Sequence, residues 1–124
     1  MNRAAGKIQD AELEVMRALW EAGGTLPLIE IRRALTEKCG WEDSTIKTLI
    51  RRLQAKEIVR LERRGVYSAL VTEDEYNEWS TRALINKLYK GSAKNLVASL
   101  VTGGNLDERD IEELREILRV KRDE

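Results

Sequence analysis

No acidic side chain stands between Ser44 and Lys56, and the stretch from Ser44 to Arg64 holds 7 basic residues against 2 acidic ones. Within it, Ile46, Leu49, Ile50 and Leu53 recur at the i, i+3, i+4 and i+7 spacing of a helix face that turns inward. The opposite face then carries Ser44, Lys47, Thr48 and Arg51, with Thr45 and Arg52 on its flanks. Lysine and arginine donate to phosphate oxygens or to guanine O6 and N7. Serine and threonine hydroxyls bond bases or phosphates, and a threonine methyl can pack on that of thymine. A further basic pair, Arg63-Arg64, precedes Gly65. The chemistry on offer is recognition of a polyanion by a helix and a basic tip.

Other chemistries lack their residues. The 124 residues include no histidine and one cysteine, Cys39. A disulfide within the chain is impossible, a cage of soft metal ligands has no donors, and Ser-His or Cys-His nucleophile pairs cannot form. Cys39 reads as a small hydrophobe at a helix end. The acid runs Glu73-Asp74-Glu75 and Asp107-Glu108 with Asp110 fit helix N-termini, where carboxylates meet the positive end of the dipole, better than a metal site. Trp20, Trp41 and Trp79 read as core packing. We expect no enzyme, no cofactor and no metal.

The elements that must hold the basic face follow from pattern. Asp10 reads as the cap of a first helix, with Leu13, Val15, Met16, Leu19 and Trp20 at buried spacings and Gly23-Gly24 as its stop. Pro27 fits the first turn of a second helix whose Leu28, Ile31 and Leu35 face the core, ending at Cys39-Gly40. A third helix, 44–56, is capped by Asp43 or Ser44. The runs Ile58–Arg63 and Val66–Val71 read as strands joined by an Arg64-Gly65 turn. The fold class expected is mainly α with a small β-hairpin: a winged helix-turn-helix head over residues 8–71.

Residues 72–120 differ in character. Thr72-Glu73-Asp74-Glu75 is a capping box opening a helix to about Tyr89; Gly91 and Gly103-Gly104 separate a fifth helix, and Asp107 caps a sixth. Trp79, Leu84, Leu88, Leu96, Val97, Leu100, Ile111, Leu114 and Leu118 give three short helices more apolar surface than one copy can bury. We expect a helical dimerisation segment. Charge supports two parts: residues 1–71 hold 13 Lys/Arg against 10 Asp/Glu, and residues 72–124 hold 9 against 12. The balanced total hides a local cationic stretch, and a phosphate backbone responds to local potential. No run approaches the roughly 18–20 apolar residues of a membrane span, so the expectation is a cytoplasmic protein that engages no membrane.

The residues also resemble a known family. Ile8–Trp20 resembles the opening helix of the penicillinase-repressor family (BlaI/MecI type, related to the copper-responsive CopY type), and Trp41–Leu53 resembles its recognition helix. Lys87–Ser92, Asn95-Leu96-Val97 and Asp110–Leu114 resemble its dimerisation segment. The resemblance implies a homodimeric, sequence-specific transcriptional repressor that binds a palindromic double-stranded DNA operator. It also implies inactivation by a regulatory protease or another signal acting on the C-terminal segment. The bond matching the cleaved Asn-Phe bond of well-known members is Ser99-Leu100. The chain departs from the family at Leu13, where tryptophan is usual, at Glu57, where glycine is common, and at Gly65, where an aromatic is often found. The C-terminal segment has no cysteine for the copper mechanism. The alternative reading is a winged-helix protein-interaction module without DNA binding.

Overall fold

The computed structural model describes residues 2–124. In chain order the elements are α1 (Asp10–Glu21), β1 (Thr25–Pro27), α2 (Leu28–Cys39), α3 (Asp43–Ala55), β2 (Val59–Leu61), β3 (Val66–Ala69), α4 (Glu73–Tyr89), α5 (Ala93–Thr102) and α6 (Glu108–Arg122). A 3-10 turn, Arg3–Lys7, precedes α1. Two compact units result, a head reaching to Thr81 and a second unit, Arg82–Glu124, with α4 running through the boundary.

The head is a winged helix-turn-helix built as the hydrophobic periodicity demands. Met16 and Leu19 of α1, Ile31 and Leu35 of α2, and Ile46, Ile50 and Leu53 of α3 are all almost fully buried in one cluster, with Ile58, Val59 and Val71 from the wing and its flanks. Burying each such side chain contributes about 1.5–3 kcal/mol. Trp20, Trp41 and Trp79 pack on the rim of this cluster. The Trp20 indole N–H donates to the Val71 carbonyl at 2.8 Å, tying the end of α1 to the segment between β3 and α4.

Several element ends differ from the sequence expectation. Gln9, not Asp10, caps α1, and its backbone N–H donates to Glu12 at 2.9 Å. Glu42, not Asp43 or Ser44, caps α3. Pro27 is the cap of α2 and also closes a third strand that periodicity did not reveal. Three residues are too few for an alternation signal, and only pairing defines β1. The sheet order is β1-β3-β2, antiparallel throughout, with Tyr67 of β3 between Leu26 and Leu61. At the wing tip, the Glu62 N–H donates to the Val66 carbonyl at 2.6 Å. That leaves Arg63, Arg64 and Gly65 as a three-residue loop, one longer than expected.

Helix α4 opens with the capping box read from sequence: the Thr72 N–H donates to Glu75 at 2.9 Å and the Glu75 N–H to the Thr72 hydroxyl at 3.1 Å. Its first two turns belong to the head, where Tyr76 and Trp79 pack on the core. A Cβ at Gly6 would collide with the Trp79 indole, so the N-terminal turn lies directly against that ring. In the second unit, Ser92 caps α5 and Asp107 caps α6, each accepting from the backbone three residues on. No residue of Arg82–Glu124 is buried within a single chain.

Candidate nucleic-acid interface

All eight residues expected to contact DNA are exposed: Ser44, Thr45, Lys47, Thr48, Arg51 and Arg52 on α3, and Arg63 and Arg64 at the wing tip. The cause on α3 is the buried stripe Ile46, Leu49, Ile50 and Leu53, which fixes the rotation of the helix and turns the basic face outward. The Thr48 hydroxyl donates to the Ser44 carbonyl at 2.9 Å. Its proton is therefore occupied, and Thr48 presents a methyl group and oxygen lone pairs to a ligand.

Two devices lock the C-terminal end of α3. The Ile58 N–H donates to the Leu53 carbonyl at 2.9 Å and the Glu57 N–H to the Gln54 carbonyl at 3.0 Å, a Schellman closure with Glu57 in the left-handed region at φ 60°. Beside it, Lys56 donates to both Glu12 oxygens at 2.6 and 2.8 Å and to the Lys7 carbonyl at 2.9 Å. Glu12 is 1% exposed. A buried carboxylate needs such pairing, since its desolvation is otherwise uncompensated. The pair pins α3 to the start of α1.

Electrostatics separates the basic face from the rest of the head. Arg17, Arg32, Arg33, Lys38, Lys56 and Arg60 each meet a carboxylate at 2.6–3.6 Å. Lys47, Arg51, Arg52, Arg63 and Arg64 make no ion pair among the described residues. Six of the other cations of the head have a carboxylate beside them; these five face solvent without one. Arg64 adopts φ 57° and Gly65 φ 72°, which closes the tight loop that carries Arg63 and Arg64.

Sequence pattern did not single out Gln54 or Tyr67. A groove between α3 and the sheet is lined by Leu28, Lys47, Ile50, Arg51, Gln54 and Tyr67. Gln54 extends the Lys47-Arg51 edge by one further i+3 step, a signal present in the sequence. Tyr67 joins them only through strand pairing, which no local pattern records.

Of the residues expected to dimerise, Trp79 lies on the head and the other eight lie in the second unit. There Leu84, Leu88, Val97, Leu100 and Leu118 are exposed at 38–64%. Leu96, Ile111 and Leu114 are half-buried. Ser99 and Leu100 are exposed within α5, and the Ser99 hydroxyl accepts from Tyr89 at 3.0 Å.

The penicillinase repressor family model matches residues 8–120. The penicillinase repressor of Staphylococcus aureus is 35% identical over 115 residues, covering 90% of this chain and 90% of its own. The penicillinase repressor of Bacillus licheniformis is 30% identical over 115 residues, covering 90% of this chain and 89% of its own. The methicillin resistance regulatory protein MecI of Mammaliicoccus sciuri is 33% identical over 129 residues, covering 98% of this chain and 100% of its own.

Proposed function

This chain belongs to the penicillinase repressor family of transcriptional regulators, and we propose that it represses transcription in the cytoplasm as a homodimer on a palindromic DNA operator. Helix α3 enters the major groove, whose width admits an α-helix and whose base edges carry a readable donor and acceptor pattern. Ser44, Thr45, Lys47, Thr48, Arg51 and Arg52 face the duplex, and Arg63 and Arg64 reach flanking phosphates from the wing. Residues 8–71 read the DNA, and residues 72–120 hold two heads at a separation of one or more helical turns, about 34 Å each. The single observation that carries this reading is the set of five cations without a carboxylate partner on one helix face and one loop tip, in a head that pairs most of its other cations.

Dimerisation is supported by the apolar side chains that the second unit leaves exposed in one copy. Release from DNA by a regulatory protease acting at Ser99-Leu100 belongs to the same proposal. The Gly103 N–H holds the Ser99 carbonyl at 2.9 Å and the Asn105 N–H holds that of Leu100 at 3.3 Å. A protease must unwind the end of α5 before it can cut there.

The test uses a duplex selected by the full chain from a random pool. Lys47→Ala and Arg51→Ala should each weaken binding by about tenfold, corresponding to about 1–3 kcal/mol per lost contact. A lost base contact relaxes selectivity at one position, and a lost phosphate contact weakens every sequence alike. If both variants bound selected and random duplex as the parent does, α3 would not be the reading element.

A further inference from the structure

We propose that the groove between α3 and β3 is a seat for one backbone phosphate of the bound DNA, completed by Gln54 and Tyr67; the proposal rests on the DNA-binding reading above. Lys47, Arg51 and Gln54 follow one another at i, i+4 and i+7 along one edge of α3, and Tyr67 lines the groove from the central strand of the sheet. None of these four side chains has a hydrogen-bond or ion-pair partner among the described residues. Leu28 and Ile50 supply apolar walls, and Ile50 is 2% exposed. Charge-assisted hydrogen bonds gain strength where apolar walls lower the local dielectric.

The groove also contains no acid. The comparable groove between α1 and α2 is lined by Glu14, Glu21 and Glu37 beside Lys38, so this head does not leave its clefts cationic by default. Helix α2 starts at Leu28 on the groove wall, and its cap, Pro27, gives no side-chain bond to the first-turn N–H groups. Those donors and the positive end of the α2 dipole add to the same potential. A phosphodiester offers acceptors and a single negative charge, which matches a cleft of two cations, an amide and a phenol. A guanine edge also presents two acceptors, O6 and N7, but it carries no net charge, so a cleft holding two cations matches it less well. Contacts of this kind set register and affinity and carry no sequence information.

Fluorescence anisotropy of the full chain on a selected duplex and on a scrambled one of equal length tests the idea. Tyr67→Phe removes one hydroxyl and Gln54→Ala keeps a strong helix former, so both should keep the parent's thermal midpoint to within a few degrees. Each should weaken binding about tenfold on both duplexes, leaving the ratio between them unchanged. A methylphosphonate scan of the selected duplex should reveal one position where parent and Tyr67→Phe bind equally. Variants that bind both duplexes as the parent does would overturn the phosphate seat and leave the repressor reading intact. Variants that change only the ratio would make these residues base readers, which also overturns it. A parent chain that binds no duplex would remove both proposals together.

Discussion

Glu57 occupies the left-handed position that closes α3, at φ 60°. A side chain there meets the following carbonyl, at a cost of about 1–2 kcal/mol, which glycine avoids. Glycine also enlarges the freedom of the unfolded chain, which returns part of that gain. Glu57→Gly should therefore raise the unfolding free energy by about 0.5–1 kcal/mol in urea titration; an unchanged or lower value would mean that Glu57 gains contacts that offset its strain. The sequence displayed a glutamate where the family commonly has glycine, and the structure shows that the chain keeps the glycine-type turn regardless. Thr48 was legible as a face residue. That its proton is spent on Ser44 was not, because a back-bonded hydroxyl depends on rotamer and leaves no trace in spacing.

At the level of elements, buried stripes located α1, α2 and α3, and caps and glycine breaks bounded α4, α5 and α6, because each signal is a property of nearby residues. Strand β1 and the third residue of the wing loop escaped, since the first is defined by pairing with residues 39–43 positions away and the second by loop register. The junction of α1 with α3 was equally hidden: nothing in local pattern joins Glu12 to Lys56. Glu12→Ala should cost about 2–4 kcal/mol, toward the lower end of the range for a fully enclosed pair because the Lys56 side chain keeps 25% exposure. Chemical denaturation measures it, and a cost under 0.5 kcal/mol, about that of an exposed pair, would contradict the clamp. The cap of α4 adds a pH signature. The Thr72 N–H, together with side-chain bonds from Asn2 and Thr72, holds the Glu75 carboxyl below the usual carboxylate range. A lowered value stabilises the fold above the unfolded value and is lost as pH falls through the folded one. The thermal midpoint of the parent minus that of Glu75→Gln should be constant above about pH 5 and shrink on acidification. A difference independent of pH would remove the ionised carboxylate from the cap.

For the molecule as a whole, two units divide the labour. The head buries its own core, and Arg82–Glu124 leaves Leu84, Leu88, Val97, Leu100, Ile117 and Leu118 exposed in one copy. A chain ending at Thr81 retains Tyr76 and Trp79 on the head core and should sediment as a monomer with much weaker duplex binding. A truncated dimer would place the subunit contact on the head instead. The central claim, that the uncompensated cations of α3 and the wing meet phosphates, is tested most directly by the salt dependence of duplex affinity for the full chain. Neutralising several phosphates releases counterions, so log affinity should fall linearly with log salt, at a slope of about −0.9 per phosphate contacted. Arg63→Ala or Arg64→Ala should flatten that slope by about one. Affinity that stays flat with salt, or absent duplex binding at low salt, would contradict the account.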